Sequence, residues 1–210
     1  MKKNLPNLLS LSRLVATVLV VAFVLINQPW SFLIATVLFL LASVTDFFDG
    51  YLSRRFKVVS PLGVFLDLTA DKVFVSAILI ALIQIGLVPA WIVVIIVTRE
   101  FLVTGMRSMA AAKGKVIPAG IWGKQKTLIT MIAICLLLFA KGLGAHELSL
   151  FPVMLHFTSQ TVNFSNILLL VADAGLILAT LWTALSGAEY MISALPLFQK
   201  EKEENNAQKV

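Results

Sequence analysis

Charge is what this 210-residue sequence has least of. Asp, Glu, Lys and Arg together make up 13% of it, about half the roughly 25% of an ordinary soluble domain. Cysteine is nearly absent: Cys135 is the only one, which excludes a disulfide framework. It stands in an apolar run and reads as an ordinary core- or lipid-facing side chain. The two histidines, His146 and His156, fall in one connection far along the chain from the acidic motifs, and no chemistry is expected of them. No internal repeat of the kind that marks transporters appears, and no GxxxG motif marks a helix interface. The net charge of +6 has no soluble domain to carry it as a nucleic-acid footprint.

Hydrophobic residues fill the space left by charge. They form 59% of the chain, mean hydropathy is +0.94, and apolar runs approach the roughly 20 residues needed to cross a bilayer. The expected fold class is an all-α integral membrane protein with six transmembrane helices, at about residues 14–26, 30–49, 64–85, 90–109, 127–140 and 166–185. Residues 1–13, leucines set among polar residues, suit an N-terminal interfacial amphipathic helix. Lys2 and Lys3 precede an apolar stretch as in a signal peptide, but no small-residue cleavage site follows, so the segment is expected to be retained. Residues 14–198 then form the membrane domain, and the polar residues 199–210 a disordered tail. The connection 141–163 mixes polar and apolar residues and suits a short interfacial helix.

Basic residues orient the chain. With six spans and an inner N-terminus, 16 of the 17 Lys and Arg residues fall on the inner side, leaving Lys141 outside. Both termini are therefore expected in the cytoplasm, in a multi-pass protein of the cytoplasmic membrane. Anionic lipid headgroups are natural partners of that basic face, and Lys113 and Lys115 suit them.

Against this background the carboxylates of residues 46–71 stand out. Asp46 and Asp49 are three apart, Asp67 and Asp71 four apart, so on helices each pair shares a face. The first pair closes one apolar run and the second opens the next, with the basic residues Arg54, Arg55 and Lys57 between them. Four acids at one place repel each other unless cations hold them, and an all-oxygen set favours Mg2+ or Mn2+. The pattern points to a two-metal site at a membrane surface. Charges within spans are functional candidates by default, which also singles out Arg99. Arg54, Lys72 and Arg99 as mere structural partners of the acids would not require four carboxylates at these spacings. Asp173, alone in the sixth span, reads as a satisfied buried acid.

The pattern D-x2-D-G-x2-A-R-x8-G-x3-D-x3-D is met here by Asp46, Asp49, Gly50, Ser53, Arg54, Gly63, Asp67 and Asp71, with every interval kept and serine replacing alanine at Ser53. The chain thereby resembles the CDP-alcohol phosphatidyltransferases. The likeness extends to N-L-P-N-L-L-S-L-S-R at residues 4–13, T-R-E-F-L-V-T-G-M-R at 98–107, G-K-Q-K-T at 123–127, and Ser186, Gly187 and Tyr190. These segments are similar to the phosphatidylglycerophosphate-forming branch, whose acceptor is sn-glycerol 3-phosphate. The similarity covers about residues 4–191.

That resemblance implies transfer of the phosphatidyl group of CDP-diacylglycerol to sn-glycerol 3-phosphate, with release of CMP. It implies Asp46, Asp49, Asp67 and Asp71 as ligands of two divalent cations, Mg2+ or Mn2+, and Asp71 also as general base. Asn7, Gly50, Ser53, Arg54 and Gly63 would bind the CDP-diacylglycerol, and Arg99, Arg107, Lys124 and Lys126 the acceptor's phosphate. Lys124 and Lys126 are two apart and do not share a helix face. A homodimer is implied by the resemblance alone. Other acceptors (inositol phosphate, serine, phosphatidylglycerol) stay open as alternatives, as do a membrane prenyltransferase and an ion-coupled transporter. The prenyltransferase reading needs two distant aspartate motifs, whereas 17 residues separate Asp49 from Asp67. The transporter reading needs acids near mid-bilayer, and these lie near span ends.

Overall fold

A computed structural model of the chain describes residues 5–56, 61–112, 121–145 and 163–207, and side chains over 11–45, 69–111, 125–145 and 163–192. These residues form six helices: α1 (Leu5–Ile26), α2 (Pro29–Phe56), α3 (Pro61–Gln84), α4 (Ala90–Ala112), α5 (Ile121–Gly142) and α6 (Phe164–Ala207). No strand occurs among the described residues. The fold is all-α, as expected. The connection expected to hold an interfacial helix lies largely outside the described residues, and His146 and His156 with it.

Local chemistry sets the helix ends. Asn27 takes a left-handed φ of 55°, which asparagine tolerates better than most side chains, and ends α1. Pro29 then opens α2 at the position where its missing N–H costs nothing. The Ser31 hydroxyl accepts from the Gln28 amide at 3.1 Å, the reach-back half of a capping box. α3 and α5 end alike. Gly86 (φ 74°) and Gly144 (φ 81°) occupy the left-handed position. Leu87 N–H donates to Leu82 C=O at 2.9 Å and Ala145 N–H to Ala140 C=O at 3.0 Å, closing two Schellman motifs.

The helices close a ring through their neighbour contacts, in the order α1, α2, α5, α6, α4, α3 and back to α1. Large side chains at the centre include Phe32, Phe39, Phe74, Ile78, Leu82, Ile92, Leu137 and Leu176, all buried. Small residues bring backbones together. An added Cβ on Gly175 of α6 would lie 3.3 Å from Ala133 of α5, and one on Gly142 would lie 2.6 Å from Leu33 Cδ2 and 3.1 Å from the Leu33 backbone nitrogen. Polar residues also lie inside. Arg13, Thr17, Thr36, Lys126, Thr130, Asn166, Asp173, Thr180 and Thr183 are all buried. The hydroxyls of Thr17, Thr36, Thr130 and Thr180 donate one turn back along their own helices, as Thr36 to Phe32 C=O and Thr180 to Leu176 C=O, each at 2.7 Å. Asp173 is fully buried and is not without a partner.

The exterior reverses this pattern. Val18, Val37, Leu41, Val94, Phe101, Leu128, Leu181, Leu185 and Ile192 are all exposed, on five of the six helices, where a soluble monomer rarely exposes apolar side chains in such number. Among the described residues two helices carry stretches long and apolar enough to cross a membrane, Gln125–Gly142 and Phe164–Ile192, and Leu11–Ile26 and Pro29–Thr45 are shorter apolar stretches.

α2 continues to Phe56, past its expected end at 49, and α5 begins at Ile121, ahead of 127; two other boundaries also differ from expectation. The polar segment 1–13 and the first span are not separate elements, because α1 runs unbroken from Leu5 through Arg13 to Ile26 and buries Arg13. Between Pro6 in the first turn and Asn27 there is no Gly or Pro to interrupt it, and a change in polarity alone does not end a helix. At the other end, residues 199–207 are not disordered but continue α6 to Ala207. Their Gln, Lys, Glu and Ala are good helix formers, and extending an existing helix avoids the cost of nucleation.

The approach of α5 to α2 generates a prediction. Gly142→Ala should lower stability by about 1–3 kcal/mol through overpacking against Leu33, read as a fall in the thermal midpoint of the purified protein. An unchanged midpoint would show that Leu33 yields freely.

Candidate active site

Seven residues bring Asp46 and Asp67 level. Phe39 of α2 and Phe74 of α3 stack with ring centroids 5.2 Å apart and planes at 16°, so these two positions face each other. Only residues 57–60 separate the two helices, and so short a join makes them antiparallel. Seven residues towards the join from Phe39 is Asp46, and seven from Phe74 is Asp67, each a rise of about 10 Å. Asp49 stands about 4.5 Å further towards the join and Asp71 about 6 Å back from Asp67. All four aspartates are therefore helical positions within a narrow axial band at one end of the α2–α3 pair. The backbones of Asn7, Asp46, Asp49, Gly50, Ser53, Arg54, Gly63, Asp67 and Lys124 are helical, while their side chains lie outside the described set.

Asp71 leads from this band into the bundle. With its neighbour Lys72 it lines a cavity whose wall also includes Val75 and Ser76 of α3, Ile96 and Glu100 of α4, Lys126, Thr127 and Thr130 of α5, and Thr183 of α6. Four helices thus contribute to one chamber. Deep in it, the ammonium of Lys126 forms an ion pair and hydrogen bond with Glu100 Oε1. The Lys126 side chain is only 4% exposed, so this is a charge removed from solvent and matched there.

Glu100 serves a second cation as well. Arg99 Nη1 lies 3.6 Å from Glu100 Oε1, and Arg99 Nη2 donates to Ser186 Oγ on α6 at 3.3 Å. Ser186 Oγ in turn donates to Thr183 C=O at 3.2 Å. Arg99 Nε and the Tyr190 hydroxyl are buried without a hydrogen-bond partner among the described residues. Arg107, just over two turns along α4 from Arg99, is exposed, and its charge is felt by both Arg99 and Tyr190. Three of the expected acceptor-site cations therefore share one region: Lys126 in the cavity wall, Arg99 behind Glu100, and Arg107 at the outer edge. Gln125, one residue before Lys126, is exposed, in line with adjacent positions of this helix facing apart.

Glu100 was missed among the candidates read from the sequence, as were the hydroxyls of Ser76, Thr127, Thr130 and Thr183 on the cavity wall. The signal for Glu100 was present: an acid beside Arg99 in the same apolar helix, subject to the same cost argument that singled out the arginine. Nothing in the sequence marks the hydroxyls, since Ser and Thr at such positions usually bond back to their own helix.

The fold and site together define a class, an all-helical bundle, apolar outside, with acids and enclosed cations bordering one internal cavity. The comparison with known proteins takes this further. A family model described as CDP-alcohol phosphatidyltransferase matches residues 3–172, and the chain belongs to that family. The chain is 36% identical over 199 residues to the CDP-diacylglycerol–glycerol-3-phosphate 3-phosphatidyltransferase of Bacillus subtilis, covering 89% of this chain and 93% of the relative. Relatives of the same name in Rickettsia bellii (37% over 141 residues, 67% and 78% covered) and Mycoplasma pneumoniae (36% over 164 residues, 70% and 72% covered) are similar.

The Glu100–Lys126 pair predicts a non-additive pair of mutants. Glu100→Ala alone leaves a buried ammonium unmatched and should cost towards the lower end of roughly 3–5 kcal/mol, since Glu100 itself keeps 29% exposure. Adding Lys126→Met should recover much of that loss in the melting midpoint. Additive losses would mean the two side chains do not depend on each other.

Proposed function

We propose that this protein transfers the phosphatidyl group of CDP-diacylglycerol to sn-glycerol 3-phosphate, forming phosphatidylglycerophosphate and releasing CMP. The observation that carries this reading is the single cavity lined by Asp71 together with the Glu100–Lys126 pair. A carboxylate suited to take a proton and cations suited to an anionic acceptor border the same space. The name shared by relatives aligned over most of the chain supports the choice of reaction.

The donor set fits a divalent-metal site: four carboxylates on two antiparallel helices, level within about two turns, with oxygen as the only ligand type on offer. Two Mg2+ or Mn2+ ions held by Asp46, Asp49, Asp67 and Asp71 would offset the charge of the donor's pyrophosphate and favour displacement at phosphorus. The acceptor hydroxyl attacks the lipid-linked phosphorus, a new P–O bond forms, the bond to CMP breaks, and the hydroxyl proton passes to Asp71. Arg54 holds the donor's phosphates, Gly50 and Gly63 leave room for a close approach, and Asn7 and Ser53 complete that side. Arg99, Arg107, Lys124 and Lys126 hold the acceptor's phosphate, with Arg99 offering a planar fork that lysine lacks.

The same reading extends to the membrane. The exposed apolar side chains meet lipid, the six helices cross it, and the cavity opens to the cytoplasm, where all but one basic residue fall and both termini lie. The basic face attracts anionic lipids. The unit formed by α1–α6 then acts as one catalytic domain of the cytoplasmic membrane, as a homodimer.

Two measurements test this. Purified protein in detergent should release CMP from CDP-diacylglycerol only when sn-glycerol 3-phosphate and Mg2+ or Mn2+ are both present, and Asp71→Asn should slow it about 10²–10⁴-fold. Release with serine or inositol phosphate instead would assign a different acceptor, and a fast Asp71→Asn enzyme would remove the base. For topology, in a Cys135→Ala background, Leu143→Cys should react with an impermeant maleimide added outside right-side-out vesicles, and Lys209→Cys should not. Reversed labelling would invert the orientation.

A further inference from the structure

Gly187 has no role in the reaction as read so far, yet it occupies a place where any side chain would displace the stem of Arg99. A Cβ built on it would lie 2.7 Å from Arg99 Cγ, 3.7 Å from Arg99 Nε and 3.8 Å from Arg99 Cβ. The close atom is the middle of the arginine stem, not its mobile end, so a methyl group there cannot be absorbed by a small swing of the guanidinium. Beside it, Ser186 Oγ accepts the Arg99 Nη2 hydrogen bond at 3.3 Å and is itself aimed by donating to Thr183 C=O at 3.2 Å. Gly187 and Ser186 together form a notch on α6. The stem of Arg99 lies across the glycine and its head is held by the serine.

Such a notch changes what the arginine can do. A free arginine side chain has about 2 kcal/mol of rotamer entropy to lose on binding an anion. Here the stem is already fixed, one terminal nitrogen is engaged by Ser186 and the other faces Glu100 at 3.6 Å. Nε is buried with no hydrogen-bond partner among the described residues, and so is the hydroxyl of Tyr190, a residue that feels the Arg99 charge. The guanidinium is thus held in one orientation, while its terminal nitrogens keep N–H groups that Ser186 and Glu100 do not use.

We propose that Gly187 is a positioning residue for acceptor specificity: with Ser186, it sets the direction of the Arg99 guanidinium towards the phosphate of the acceptor. This rests on the reading of Arg99 as an acceptor-phosphate residue. Misplacing a binding group by an ångström is enough to cost orders of magnitude in a positioned reaction, and loss of one charge-assisted hydrogen bond is worth about tenfold in affinity.

The test is a mutant cycle on CMP release by the full-length protein. Gly187→Ala should raise KM for sn-glycerol 3-phosphate about tenfold while kcat and KM for CDP-diacylglycerol stay within about twofold. In an Arg99→Ala background the Cγ is gone, so Gly187→Ala should add no further change in that KM, whereas a general packing defect would add its effect in either background. An additive cycle, or an unchanged acceptor KM in Gly187→Ala while Arg99→Ala raises it, overturns the positioning role and leaves the Arg99 assignment intact. An acceptor KM unchanged in Arg99→Ala itself overturns that assignment instead, and the positioning role with it. Should Gly187→Ala not accumulate as folded protein, Ser186→Ala decides: about a threefold rise in acceptor KM supports the notch, and no change overturns it.

Discussion

A charged group taken out of water must be matched where it lies, and the carboxylate of Glu100 does this for two cations at once. Lys126 is almost wholly enclosed, Arg99 nearly so, and Glu100 touches the first and stands 3.6 Å from the second. Around that carboxylate α4 and α5 are joined directly, and α6 is joined through Ser186. The arrangement is internally unbalanced: two positive groups share one negative one. Lys72 adds another cation to the same wall and Asp71 another acid. In the wall itself Lys72 and Lys126 are balanced by Asp71 and Glu100, so the surplus positive charge is that of Arg99, which stands behind Glu100.

The rest of the bundle keeps that chamber at one end. Glycines and alanines draw α5 against α6 and α2, Schellman motifs close α3 and α5 at the far end, α1 packs against both α2 and α3, and Phe39 and Phe74 meet across the core between those two helices. This last contact has the longest reach. Because helices are rigid rods with a fixed rise per residue, one ring pair in the core determines which aspartates stand level seven residues away. A slip of α3 by one turn would move Asp67 past Asp46 by about 5 Å and separate the two halves of the acidic band. Core packing and site geometry are here the same constraint seen from two places.

How much of this was legible beforehand follows from the kind of signal each feature leaves. The all-α fold and the helix positions could be read because apolar runs and Gly or Pro punctuation are local. The acidic motif could be read because its residues are close in sequence and their spacing is that of a helix face. The first boundary was misplaced for the converse reason: the change from polar to apolar near Arg13 is compositional, and a helix responds to backbone breakers, of which there are none until Asn27. The tail is a similar case: its polarity suggests disorder, while the helix propensity of its residues lets α6 continue to Ala207. Glu100 went unnoticed because its partner Lys126 is 26 residues away, and a lone acid acquires meaning only from what faces it.

Gly187 shows the same limit from the opposite side. A glycine in a helix interior costs about 1 kcal/mol relative to alanine, and by sequence alone that cost has no visible return. The structure supplies one, because the missing methyl group is the space through which the Arg99 stem passes. In the proposed reading the distribution of work then becomes clear. α2 and α3 carry the acids and the donor side, α4 and α5 carry the cations and their shared counter-ion, and α6 contributes no charge to the cavity at all. It contributes a hydroxyl, a gap and a buried phenol. An arginine that must hold a mobile, water-soluble acceptor inside a lipid-facing bundle gains more from being aimed than from a further charge beside it, since Arg99 and Lys126 already share one acid and another cation would be left unmatched.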